Sequence, residues 1–402
     1  MTKSKLVFDP FSDEFFNGAY NTYRRMREEA PVYYDEKHDF YALTRHRDVA
    51  AAYTDFATYS SAYGIDLAMV KGGGAPEGLR SIIFMDPPDH RQMRSLLNKV
   101  FTPRAIQSQQ PMVVEKIDKY LNGVDPYGFD VVQEFTGPFP VEVITTMLGV
   151  PEEDAQQIRH WIDESLTREP GQVEMSERAM QINVEALMYY YDLVVKRRAD
   201  PRDDLFSKLI AAEITRDDGS MDQLNDVEIA GFAVLLGGAG AETVTKLVAN
   251  AIVLFARNPD QWQKLLDDRS KIPAAVEECL RWEAPAQYTV RRSMRDIDLH
   301  GTTIPEGKPV FLIGGSANRD PDAWTDPDKF DIDRDRTEAQ NLGLGYGIHS
   351  CLGAALARME SAIALEKILD FMPRYEVDWD GCKRVHMQNV AGWSNVPVRV
   401  LR

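Results

Sequence analysis

The stretch GLGYGIHSCLGAALARME, residues 343–360, sets a single cysteine, Cys351, in a glycine-rich loop just ahead of an alanine-rich helical pattern. A dinucleotide-binding loop would need G-x-G-x-x-G after a buried strand. Ile348 and Ser350 fill the two slots for the third glycine, and the upstream run DIDRDRTEAQN is too polar for such a strand. A Cys–His nucleophile using His349 would need partners from distant segments, and no other stretch suggests one. A buried structural thiol is the commonest fate of a free cysteine. The remaining reading is a metal ligand. A helix beginning at or just after Cys351 would surround its sulfur with unpaired backbone N–H groups. Those groups and the positive helix end favour thiolate over thiol.

Gly345, Gly347 and Gly353 would let the backbone lie against a flat cofactor. A haem iron held by one thiolate fits, and needs no second cysteine. The three cysteines, Cys279, Cys351 and Cys382, are widely spaced and odd in number, unlike a disulfide framework or a CxxC zinc site.

Working outward, the 402-residue chain carries a formal net charge of -17, with 44% hydrophobic and 27% charged residues. That is the composition of a globular protein. Its charge argues against nucleic acid or an anionic membrane as the main partner. The opening MTKSKLVFDPFSDEFF lacks the apolar centre of a signal peptide. The longest apolar run, 229–241, stops at Glu242, short of the roughly 18 residues of a membrane span. A cytoplasmic location is the expectation. No repeat or Pro/Gly-rich linker divides the chain, so we expect one domain over 1–402. Amphipathic helical segments dominate from about Asp86 to Asn258. Short strands are expected near both ends, in PVYY, DFYALT, DIDLHGTTI, KPVFLIG and NVPVRV. The segment 68–81 has the composition of a surface loop that could act as a lid.

The run NDVEIAGFAVLLGGAGAETVTKLVANAIVLFARNP predicts one long helix, capped by Asn225 with Glu228 in a capping box and ended by Pro259. About 33 residues span about 50 Å. Gly237, Gly238 and Gly240 each cost such a helix about 1 kcal/mol relative to Ala.

Taken together, these stretches resemble the cytochrome P450 monooxygenases. LGYGIHSCLG, residues 344–353, is similar to that family's haem-binding loop. The resemblance implies haem b (iron protoporphyrin IX) with Cys351 as axial thiolate and Gly345 and Gly353 beside it. Leu344 takes the slot where Phe is usual, which bears on the redox potential. AGAET, residues 239–243, resembles the oxygen-activation motif. There Ala239 would line the oxygen groove, the Thr243 hydroxyl would return to the Ala239 carbonyl, and Glu242 with water would feed protons. DPPDHRQMR resembles the family's DPPxHxxxR, with His90 and Arg94 on one helix face toward a propionate. Arg291 stands at the other propionate position, with adjacent Arg292 leaving the register open, and His349 completes that set. Glu278 and Arg281 match E-x-x-R, a structural ion pair whose third member is Lys329 or Arg334.

The resemblance implies a mainly α fold with a smaller β region, a triangular helical prism. It implies O2 activation and hydroxylation of a hydrophobic small molecule: a terpenoid, steroid, fatty acid or polyketide. Electrons would come from a ferredoxin and an NAD(P)H-dependent ferredoxin reductase, docking on a basic patch formed by Arg91, Lys99, Arg104 and Arg358. The chain itself is expected to be a monomer. The rival readings are a peroxide-driven peroxygenase, which would not need Glu242 and Thr243, and a non-catalytic haem sensor. Candidate pocket residues come first from the loop: Tyr63, Ile65, Leu67 and Met69. Leu235 and Ala239 come from the long helix, Thr289 and Val290 from the segment after E-x-x-R, and Val390 and Trp393 from the last turn.

Overall fold

The sequence cues at Asn225 act as the cap they resemble. In the computed structural model, which describes residues 5–74, 80–215 and 219–401, Asn225 Oδ1 accepts from the Glu228 N–H at 2.9 Å. Glu228 Oε2 accepts from the Asn225 N–H at 2.9 Å. The central helix they start runs Asp226–Arg257, 32 residues, or about 48 Å. By length and composition it could cross a bilayer, but its C-terminal half, from Val244 to Phe255, is buried in the main hydrophobic core. Its N-terminal half packs against the helices Glu177–Ala199 and Pro138–Leu148, and the helix also meets Ala354–Phe371, which follows the cysteine loop.

Two glycines of the GGAG run are explained by these crossings. A Cβ on Gly237 would lie 3.0 Å from the Tyr190 hydroxyl, and one on Gly240 would lie 3.3 Å from Ile144. They permit helices to approach closely rather than opening a groove. Gly238 has no neighbour within 4 Å of a notional Cβ.

The β region is small and sits at one side. Its largest sheet orders the strands Val32–Asp35, Phe40–Leu43, Pro309–Leu312, Thr289–Ser293 and Tyr59–Ser60. All neighbours are antiparallel except Pro309–Leu312 on Phe40–Leu43, which is parallel. Along Thr289–Ser293, successive side chains alternate faces. Val290 points into an apolar cluster with Phe311 and Tyr288, while Thr289 and Arg291 face the interior cavity described below. The architecture is thus mainly helical with minor sheets. An antiparallel strand pair, Glu213–Thr215 with Met221–Gln223, and a π-helical turn, Val131–Thr136, were not legible in the sequence. The lid-like segment is partly helical, as Leu67–Lys71 capped by Asp66. Residues 75–79 of it lie outside the described residues.

Candidate functional site

Cys351 leaves a short 3₁₀ turn, Gly347–His349, and the following helix begins at Ala354. Its N–H donates to the Leu344 carbonyl at 2.9 Å. Gly347, at φ +68°, leaves no room for a side chain: a Cβ would meet the Tyr53 carbonyl at 2.6 Å. Gly343 is equally constrained by the Leu280 carbonyl at 2.4 Å. The loop is therefore pinned by backbone contacts behind it, and Cys351 is exposed toward the interior cavity in front. Burial among protein raises the thiol pKa, while the Gly353 N–H, Arg94 and Arg358 lower it. The net direction is up, so the helix end alone does not secure a thiolate as the sequence suggested. A bound cation would, since a coordinating thiol is deprotonated outright.

Two adjoining cavities of about 270 and 200 Å³ lie between this loop and the central helix. Both touch Cys351, His349, Ala239 and Thr243. Thr243 Oγ1 donates to the Ala239 carbonyl at 2.7 Å, four residues back as expected. Glu242 is different. Adjacent helix positions point about 100° apart, so its side chain faces the opposite flank. There it pairs with Lys246 at 2.7 Å, with both side chains at most 5% exposed. The pair lines a separate cavity of about 300 Å³ with Arg159, Asp163 and Thr167. Burial raises the pKa of Glu242; Lys246 opposes the shift and Asp163 reinforces it. Burial likewise raises Asp163, against Arg159 and Lys246. Any proton that Glu242 feeds to Thr243 must therefore come past the helix flank from this second cavity.

Four nitrogen-bearing side chains converge on the cavity edge. Arg291 is 5% exposed and donates from Nη1 to Thr289 Oγ1 at 2.9 Å and the Val290 carbonyl at 3.0 Å. No carboxylate stands within ion-pair distance of it among the described residues. Arg94 Nη1 donates to the Ser350 carbonyl at 2.9 Å. The rings of His90 and His349 lie 4.4 Å apart. Burial, then Arg291 and His90, pushes His349 down to about 3; burial and Arg94 lower His90. Both imidazoles are therefore neutral at pH 7. The His349 Nε2–H is directed at the Met85 carbonyl, 3.0 Å away, which leaves the buried, unpartnered His90 Nε2 as the freer donor. Nearby Asp86 is already engaged, accepting from Ser60 Oγ at 2.5 Å and the Ser61 N–H at 3.0 Å. Buried Arg291, half-buried Arg94 and the orphaned His90 Nε2, with no acidic partner among the described residues, fit a flat group carrying two carboxylates above a thiolate.

Of the candidate pocket residues, Ile65, Leu235, Ala239 and Thr289 line the cavities. The others do not, each for a packing reason. Tyr63 lies under the Arg292 guanidinium, 4.0 Å from its ring centroid. Leu67 is 3% exposed in the N-terminal aromatic cluster, and Met69 packs on the Gly64 turn. Val290 faces away by strand alternation. Val390 packs with Val385 and Met387, and Trp393 is in the main core with Arg384 stacked 4.0 Å from its ring. Further lining residues are Phe232, Leu236, Val244 and Leu247, with Ile83 from the 3₁₀ turn Ile82–Phe84 and Ala286 from the segment before Thr289. The first four continue the helical stripe through Leu235, Ala239 and Thr243, so 3.6-residue periodicity could have found them.

Beneath the site, Glu278 and Arg281 form a bidentate pair, both contacts 2.8 Å, at 4% and 2% exposure. The third member is Arg334, whose Nε lies 3.4 Å from Glu278. Lys329 turns outward to Asp331 and contributes only its backbone carbonyl.

Glu360, two turns into the helix after Cys351, is 1% exposed with Oε2 unpartnered, and it edges the smaller cavity. Burial raises its pKa well above the usual carboxylate range. The folded protein then keeps a proton that the unfolded chain releases above about pH 4.3. This group's contribution to stability falls as pH rises from there, by about 1.4 kcal/mol per pH unit, until the folded-state pKa is reached. Glu360→Gln should remove that slope. Its stability relative to the parent should rise by at least 1 kcal/mol between pH 5 and 7 in urea melts; a constant difference would mean that Glu360 is ionised in the fold.

Comparison with known proteins gives a consistent result. The family model for cytochrome P450 matches residues 11–385. The putative cytochrome P450 123 of Mycobacterium tuberculosis is 41% identical over 397 residues, covering 98% of this chain and 97% of that protein. The erythromycin C-12 hydroxylase of Saccharopolyspora erythraea is 34% identical over 378 residues, covering 93% and 92%. A structure of a P450 EryK mutant in complex with erythromycin B superposes with a TM-score of 0.86 at 34% identity, covering 97% of both chains.

Proposed function

The chain belongs to the cytochrome P450 family, whose members bind haem b through a cysteine thiolate, and from that premise we propose that it hydroxylates a hydrophobic small molecule at the cavity above Cys351. One observation carries the reading: the Cys351 sulfur, the Thr243 hydroxyl and the cationic edge open onto the same interior space. Cys351 would hold the haem iron, Arg94, Arg291 and His90 would take the propionates, and His349 would brace the loop through Met85. Haem there supplies the iron at which O2 is reductively activated. The chain's own part is to position and protonate. Thr243 holds a proton at Oγ1 against the Ala239 carbonyl and can redirect it into the cavity. Lys246 and Asp163 hold Glu242 at the solvent-side cavity, as the source that replenishes it. The apolar lining from Phe232, Leu235, Leu236 and Leu247 excludes water and seats an apolar guest. The relative crystallised with erythromycin B makes a polyketide-sized guest a fair first probe. A screen following the haem absorption band would identify a fitting substrate by its spin-state shift.

General acid catalysis contributes about 10²–10⁴-fold. Thr243→Ala should therefore lower product per NAD(P)H consumed by at least about tenfold, with peroxide released in its place. Unchanged coupling would remove Thr243 from proton delivery. Full turnover with peroxide alone would favour the peroxygenase reading, and haem binding with no product under either condition would favour a sensor.

For electron supply, we read the exposed Arg91, Lys99 and Arg104 as the docking face for an acidic ferredoxin fed by an NAD(P)H-dependent reductase. Arg358 contributes less, because Glu277 already pairs with it. The double variant Lys99→Glu/Arg104→Glu should raise the KM for ferredoxin severalfold at low salt and less at high salt. An unchanged KM would place the electron donor elsewhere.

A further inference from the structure

The helix Glu177–Ala199 covers the central helix from outside, and its outer face is unusually apolar. Met180, Val184, Met188 and Val195 are 49%, 60%, 55% and 44% exposed. Spaced 4, 4 and 7 residues apart, they form one stripe along the helix, with half-buried Tyr191 between the last two. Contiguous apolar surface of this kind marks an interaction site. The stripe ends in opposite charges: Glu177 is exposed in the first turn, while Arg198 in the last turn, with its side chain 36% exposed, pairs with Asp226 and donates to the Leu224 carbonyl, leaving its outer edge open to a second carboxylate. They are 21 residues apart, or about 31 Å.

This pattern is complementary to its own reverse. Laid antiparallel about a two-fold axis next to Met188, a second copy brings Glu177 against Arg198 at both ends. Met180 then meets Val195, and Val184 meets Tyr191. A parallel copy would set Glu177 against Glu177 and Arg198 against Arg198. Two-fold contacts reuse one patch on both subunits, and an end-reversed charge pattern selects the antiparallel form. Along the flank Glu185 pairs with Arg178 at 3.7 Å and Asp192 offsets Lys196, so no net positive charge there favours an anionic lipid surface. We propose that this stripe docks a second copy of the chain as an antiparallel two-fold dimer.

A single helix pair buries less than a standard interface, so the dimer is weak and concentration-dependent. Sedimentation velocity of the haem-loaded protein from about 1 to 300 μM should show a monomer–dimer equilibrium with Kd on the order of 10–100 μM. Met188→Glu sets two carboxylates beside the axis and should weaken it at least about tenfold. Its melting midpoint and haem spectrum should stay at parent values, because the side chain is exposed. In a Cys382→Ser background, Met188→Cys should cross-link to its own copy under mild oxidation. Val184→Cys should not, since its two copies would be offset by about 10 Å along the axis. Four results would overturn the proposal: a monomer at every concentration, a dimer indifferent to Met188→Glu, cross-linking at Val184→Cys instead, or flotation with neutral or anionic vesicles that depends on Met188 in place of self-association.

Discussion

Arg281→Ala is expected to lower stability by about 3–5 kcal/mol, the loss typical of stripping one partner from a buried pair. Arg281 is 2% exposed and every polar contact it makes is internal. It binds both oxygens of Glu278 at 2.8 Å and donates to the carbonyls of Asn318 at 2.8 Å, Pro327 at 2.8 Å and Lys329 at 3.2 Å. Alanine would leave Glu278 with Arg334 at 3.4 Å and the Asp331 N–H at 2.9 Å, and would strand the buried Asn318 carbonyl. Against a total stability of about 5–15 kcal/mol, that is a fifth or more of the fold. Urea melts followed by far-UV dichroism should shift accordingly, and haem-loaded yield at 37 °C should collapse. Lys329→Ala is the internal control. Its ammonium is 61% exposed and paired only with Asp331, so the change should stay within about 0.5 kcal/mol. If Arg281→Ala melted like the parent, the segment around residues 318–329 would be held by other contacts.

That pair illustrates which features the sequence exposes and which it hides. Local spacing is legible. The Asn225–Glu228 cap, His90 and Arg94 on one face, Glu278 beside Arg281, and a thiol in a glycine loop all follow from residues a few positions apart. Azimuth and long-range choice are harder. Glu242 and Thr243 are neighbours in a motif, yet 100° of helix rotation sends one carboxyl to Lys246 and one hydroxyl to the cavity. Choosing Arg334 over Lys329 required the path of an irregular segment. Leu67 and Trp393 are apolar residues near the site in sequence that the aromatic cluster and the main core absorb. Strand alternation is legible too: with Arg291 facing the cavity, Val290 must face away from it.

Arg291→Leu should act in opposite directions on the haem-free and haem-loaded protein. In the fold Arg291 is a buried cation with two neutral hydrogen-bond partners and, among the described residues, no carboxylate in ion-pair reach. Desolvation lowers its pKa, opposed by Tyr53 and Asp86. An uncompensated buried charge destabilises, and replacing buried charge with apolar volume recovers about 1–4 kcal/mol in comparable cases. Leucine should therefore stabilise the haem-free protein by about 1–3 kcal/mol. It should also speed haem loss from the loaded protein by about 10–100-fold, the usual effect of removing an outer-sphere partner of a bound metal group. Apo-protein melts and haem transfer to a scavenger protein measure the two arms separately. A purely structural arginine, valued for its aliphatic stem and hydrogen bonds, would lower both quantities together. An arginine held in place to meet an anionic cofactor gives the split, because the same uncompensated charge that strains the empty fold is what the propionate neutralises.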